Sequence, residues 1–340
     1  MPTAGFDETG FIGMAVFSVV YVAVGLGVPI AASRQRQGAL AAVVLVTITL
    51  LAEEVLLNST YVIYGIALAL SAMIAFPLLS AVVSSKGFLK ELLEISGLIF
   101  ASRVAYLPFP QKYLSGSGTL PSIYLLTFII CIMYVLVRKI DLKEMGLTLG
   151  APPLHHQIFL GVSLGLLSGA IEYLLLRPPP LTFRGDAFQS MLYVVLVMVI
   201  FVGATEEILF RGLLLRSIGA VLPSWIALQA ASIQFGLMHL GWQNPLEIIF
   251  AYIMGLVFGF VFLRFGSLFA SILIHGTGNV VMFQLASLGD IQLSMMNYLL
   301  AVSVSLTVLS LFHSRTYLFG DLETMVVVTT AEAKVKDLET

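Results

Sequence analysis

Charge is what this 340-residue sequence has least of: Asp, Glu, Lys and Arg make up 11% of it, against 59% hydrophobic residues. A soluble globular domain carries about 25% charged residues, so a water-facing surface over most of the chain is excluded. The 17 Lys and Arg and 19 Asp and Glu leave a net charge of −2, and no basic cluster stands out. That removes the electrostatic case for nucleic-acid binding. The single cysteine, Cys131, excludes an internal disulfide and leaves the redox compartment open. Residues 1–10 hold Asp7 and Glu8 but neither Lys nor Arg. Without the basic start of a cleavable signal peptide, the first apolar run is expected to stay as an anchor.

Long apolar runs are what the sequence has in abundance, with a mean hydropathy of +1.01. About 20 apolar residues cross the hydrocarbon core as a helix. The polar breaks leave eleven candidate spans: 10–32, 38–57, 61–83, 92–109, 122–138, 157–176, 190–215, 223–241, 246–263, 268–287 and 295–312. The expected fold is therefore all-α, a polytopic helical membrane protein. The fourth run, broken by Glu94, Arg103, Pro108 and Pro110, reads equally as a re-entrant or interfacial element. Lys and Arg concentrate in alternate loops, which puts the N-terminus outside and the C-terminus in the cytoplasm. Lys112, Arg177 and Arg184 run against that pattern. The Pro- and Gly-bearing stretch 141–157 reads as a linker. It divides a five-helix region, 1–140, from a six-helix core, 141–313, followed by a polar tail, 314–340.

One of these spans carries three charges. In GATEEILFRG, residues 203–212, Glu206, Glu207 and Arg211 interrupt an apolar run. At roughly 2.5 to 3.5 kcal/mol each, three unpaired charges at the bilayer centre oppose insertion by roughly 8 to 10 kcal/mol. Glu207 and Arg211 relieve part of this as an i,i+4 pair in the favourable acid-first order. Glu206 projects about 100° away and has Phe210 at its own i+4 position. A paired and an unpaired glutamate suggest a scaffold and a catalyst. A polar network inside a transporter or proton-coupled carrier fits this stretch alone equally well. LAEEVLLN repeats the acidic pair as Glu53 and Glu54 but has Asn58 where the Arg would be. That pair reads as structural.

The histidines favour chemistry. Of five, His155 and His156 sit in the linker, His313 ends the last span, and His239 and His275 lie within spans. FGLMH places Phe235 one turn before His239, and HGTGN places Asn279 one turn after His275. Glu206, His239 and His275 supply a general base, a proton carrier and a donor, and Asn279 a second donor for an oxyanion. That is equipment for amide hydrolysis.

EEILFR, FGLMH and HGTGN, in that order, resemble the EExxxR, FxxxH and HxxxN motifs of the CAAX protease and bacteriocin-processing (CPBP) family, the type II CAAX prenyl endopeptidases. The motifs cover about residues 203–279. The resemblance implies an intramembrane glutamic endopeptidase in which Glu206 and His239 activate water, and His275 and Asn279 form the oxyanion hole. Glu207 and Arg211 would brace the site, with Phe235 in support. It also implies a peptide or protein substrate, prenylated at its C-terminus or otherwise delivered by membrane lipid, and no cofactor. The N-terminal helices lie outside the motifs and leave room for a membrane-protein partner.

Other protease chemistries are poorly equipped. No HExxH pair exists for a site-2 zinc protease. Cys131 has no neighbouring base, and no GxSxG elbow appears. A zinc ion on Glu206, His239 and His275 stays open as a His₂Glu set. Depth poses one difficulty. At ~1.5 Å per residue, Glu206 and His275 lie about 15 and 12 Å from their nearest cytoplasmic loops, but His239 about 21 Å. Tilt, or a kinked or shortened eighth span that starts deeper in the bilayer, is expected to correct this. Gly255 and Gly259, in GxxxG spacing on the ninth span, are read as a helix-packing surface.

Overall fold

The computed structural model describes residues 35–83, 87–106, 119–177, 187–239, 245–288 and 291–320, together with Gly27. The expected first span, 10–32, falls almost wholly outside them, as does the tail beyond Gly320. Within them the secondary structure is helical: α1 Gln35–Leu57, α2 Val62–Val82, α3 Phe88–Tyr106, α4 Thr119–Arg138 and α5 Leu154–Leu176 lead to α6, the continuous stretch Phe188–Gly219. Then come α7 Ser224–Leu237, α8 Pro245–Phe265, α9 Phe269–Leu288, α10 Leu293–His313 and the short α11 Arg315–Phe319. Helices α1, α2, α5, α6, α8, α9 and α10 are long and apolar enough to cross a membrane, seven among the described residues where the sequence suggested eleven spans.

The shortfall has physical reasons. Helix α3 carries Lys90, Glu91, Glu94 and Arg103, yet Leu92, Leu93, Ile95, Ile99 and Phe100 are fully buried, so it is a core helix rather than an interfacial one. Three of these four charges find partners. Glu94 pairs with Arg138 and accepts from Tyr134 (3.1 Å), and Glu91 pairs with Arg216. Helix α7 has 14 residues, too few to span. It starts beside Pro223, close to the expected boundary, and ends at Leu237, so His239 lies in the turn beyond it. The eighth span is shortened at its far end.

One apolar core runs from α1, α2 and α3 through α6, α7, α8 and α9. The linker docks onto the turn between α8 and α9: Ala151 N–H donates to Phe265 O (2.9 Å) and Leu268 N–H to Gly146 O (2.8 Å). Gly150 has a φ of +68° there, and a Cβ on it would lie 2.2 Å from Phe265 O. Only glycine fits both demands.

Helix α9, which carries His275, is held by glycine-mediated contacts on two sides. Gly161, Gly165 and Gly169 of α5 face it so closely that a Cβ on Gly165 would stand 2.5 Å from Thr277 Cβ. On its α6 side, a Cβ on Gly276 would stand 2.6 Å from Val199 Cα, and Gly203 opposes Gly276 N. Small residues let helix backbones approach where apolar burial gives no net drive. The expected Gly255 and Gly259 surface is also present, against Ser232 and Leu228 of α7. Gly276→Ala is expected to lower stability by about 1 to 3 kcal/mol, because the obstructing atom is backbone. Thermal unfolding of the purified variant checks this, and an unchanged midpoint would contradict the packing.

Candidate active site

Helix α6 departs from regular winding where it carries its charges. Two π-helical stretches, Leu196–Gly203 and Ile208–Leu215, flank the single α-helical turn Ala204–Glu207. Such wide turns gather at functional positions. Glu207 and Arg211 are almost wholly buried, at 0% and 1% exposure. Arg211 Nη1 donates to Glu207 Oε1 (2.9 Å) and Nη2 to Gly255 O (3.3 Å). The guanidinium carbon lies 4.3 Å from the ring centre of Phe235 and 5.0 Å from that of Phe258. A buried cation is thus met by a carboxylate, a carbonyl and two aromatic faces.

His275 comes between the two glutamates. Its Nδ1–H donates to Glu207 Oε1 (3.0 Å), and its Nε2 lies 3.6 Å from Glu206 Oε2. Phe258 stacks on the imidazole at 5.1 Å, with Phe235 edge-on at 5.8 Å. Glu206 Oε1 accepts from the Tyr124 hydroxyl of α4 (2.5 Å), while Oε2 is buried without a hydrogen-bond partner among the described residues. His239 is fixed by its own helix, because its Nδ1 lies 2.9 Å from Phe235 O. A carbonyl only accepts, so Nδ1 carries the proton and Nε2 is left as the acceptor. The ring lies 4.8 Å from Phe235 and within electrostatic reach of Glu206 and His275.

The three motifs therefore converge, with Phe235 touching every part. Asn279 lies on α9 one turn past His275 and is partly buried. It makes no hydrogen bond to the glutamates or histidines among the described residues.

Sequence reasoning missed Tyr124, Phe258 and Arg103. The absence of a basic partner for Glu53 and Glu54 was wrong: Arg103 Nε lies 3.4 Å from Glu53 Oε1, and Nη2 pairs with Glu54. Its Nη1 donates to Met238 O (3.3 Å), the carbonyl next to His239. No spacing rule finds a partner some fifty positions away on another helix; only the excess of acids over bases in α1 signalled one. Helices α3 and α4 thus reach the site through Arg103 and Tyr124, with the α1 glutamates behind Arg103.

Comparison with curated proteins and with solved structures returns no match. Residues 188–281 match the sequence model of the family described as type II CAAX prenyl endopeptidase Rce1-like. That segment runs from the start of α6 to the second half of α9 and contains all three motifs. Over these residues, fewer than half of the chain, the protein is similar to the Rce1-like type II CAAX prenyl endopeptidases.

Proposed function

We propose that this multi-pass membrane protein hydrolyses a peptide bond of a membrane-associated substrate, with water as the nucleophile and Glu206 as the general base. The observation that supports the reading is the placing of the His275 imidazole between Glu206 and Glu207. Glu206 Oε2 takes a proton from water as the oxygen attacks the carbonyl carbon, and His239 Nε2 orients that water. The oxyanion is met by His275 and by the Asn279 amide. Nδ1–H of His275 is committed to Glu207, so donation to the oxyanion falls to Nε2 and requires a second ring proton. Glu206 then passes its proton to the leaving amine as the C–N bond breaks. Glu207 and Arg211 fix the His275 ring and take no part in proton transfer.

We take the substrate to be a protein with a prenylated C-terminal CAAX sequence, on the family's description, and place the N-terminus outside and the C-terminus in the cytoplasm on the loop charges. The family match favours this reading over a proton-coupled carrier. The N-terminal helices complete the site through Tyr124 and Arg103. The reconstituted full chain should release the last three residues of a farnesylated CAAX peptide, and failure to cleave it with or without the prenyl group would refute the reading.

Tyr124→Phe is expected to lower kcat/KM about tenfold, the lower end of a hydrogen bond to a charged group. A rate equal to wild type would show that the hydroxyl does not hold Glu206 in its working orientation.

A further inference from the structure

Histidine is rare in this chain, and its five copies fall into two groups. Two belong to the candidate active site. The other three, the adjacent His155 and His156 and the distant His313, meet where α5 begins and α10 ends. The ligand nitrogens of His155, His156 and His313 all lie within 4.8 Å of one another. His156 stacks on His313 with ring centres 4.0 Å apart and planes at 15°, and His155 lies 4.5 Å from His156 and 5.7 Å from His313. The first turn of α5 contains no acid, so the gathering is not explained by ion pairing on that helix.

The surroundings hold both sides in place. The Gln157 side chain donates to Pro152 O (3.0 Å) and to Leu149 O, which ties the first turn of α5 to the linker. Arg264 donates to Tyr317 O (3.2 Å) and Gly320 O (2.6 Å), which ties α11 to the end of α8. Tyr317 stands edge-on to His156 at 5.1 Å, and the Ser314 hydroxyl lies 3.5 Å from His156 Nδ1. A hydroxyl at Nδ1 leaves Nε2 for a ligand bond, the division of labour seen at metal-bound imidazoles. Arg315, the nearest cation in sequence, has its guanidinium over the Phe312 ring at 4.0 Å.

We propose that His155, His156 and His313 bind a divalent transition-metal ion, zinc in the first instance, with solvent as the fourth ligand. Three imidazoles suit zinc, copper or nickel, whereas calcium and magnesium require oxygen ligands. Zn–N bonds of about 2.0 to 2.1 Å need the nitrogens closer than they stand here. His155 and His313 are solvent-exposed and free to rotate inward. The ion cross-links the start of α5 to the end of α10, and α5 is the helix whose glycines seat α9.

The test uses the full chain, purified in detergent without a polyhistidine tag and titrated with cobalt(II) and then zinc. Wild type should show the visible absorption of four-coordinate cobalt, saturate at one equivalent, lose that colour to zinc, and unfold at a higher temperature with zinc than without. His155→Ala/His313→Ala should lose the absorption and the thermal shift, and the milder His313→Gln should weaken both. His239→Ala/His275→Ala should keep them. A wild type that binds neither ion, or binding that survives in His155→Ala/His313→Ala and in His313→Gln, overturns the proposal. So does binding that disappears in His239→Ala/His275→Ala instead, since the ion then belongs to the active site.

Discussion

Glu206→Gln is expected to reduce kcat/KM for peptide cleavage by about a hundredfold to ten-thousandfold, the range that a positioned general base contributes. The substitution keeps the shape of the side chain and an oxygen able to accept from Tyr124 OH, so folding should be close to wild type. It removes only proton acceptance at the oxygen facing His275 Nε2 at 3.6 Å. Wild-type activity should survive a strong chelator, because water is activated by a carboxylate and an imidazole and not by a metal ion. Loss of activity on chelation in His155→Ala/His313→Ala as well would move the chemistry to a zinc ion on Glu206, His239 and His275. Full activity in Glu206→Gln would remove the glutamate from the mechanism.

Arg211→Met should be among the most destabilising single changes available, at about 3 to 5 kcal/mol, because it leaves a buried charge without its counter-charge. Glu207 has no exposure, its Oε2 already lacks a hydrogen-bond partner among the described residues, and its Oε1 serves both Arg211 and His275. Methionine fills much of the space between Phe235 and Phe258 but cannot meet the carboxylate. Glu207→Gln/Arg211→Met should recover a substantial part of the loss, since neither buried group is then charged. Unfolding midpoints of the single and double variants decide it. A double variant no more stable than Arg211→Met would mean that the arginine acts through packing on the aromatic rings.

The parts of the site legible in the sequence are those that a helix alone determines. Glu207 and Arg211 pair because four residues separate them, and Phe235 meets His239 for the same reason. Helical spacing also gave Gly255 and Gly259 their packing role. Contacts between helices left no such trace. Tyr124 is 82 residues from Glu206, and Arg103 is 50 from Glu53. The search for a partner to Glu53 and Glu54 ended at Asn58 because it looked one turn ahead. Helix α3 is not among the helices apolar enough to span, in keeping with the doubt that Glu94 and Arg103 raise, but its pairing of Glu91, Glu94 and Arg103 with Arg216, Arg138 and the α1 glutamates left no local trace. The π-helical turns of α6 are a backbone response to packing, and composition does not encode them. The depth mismatch of His239 did leave a trace, but the expected deeper start is not found: α7 begins at Ser224 and is shortened only beyond Leu237.

The central claim is that Glu206 and His239, brought from different parts of the chain, act on one water at one site. Kinetics of a double variant test it most directly. With the reconstituted protein and a sensitive readout of product, Glu206→Gln/His239→Ala should cleave no more slowly than the slower single variant, because groups that act as a unit lose their contribution together. Losses that multiply across the two single variants would contradict a shared site.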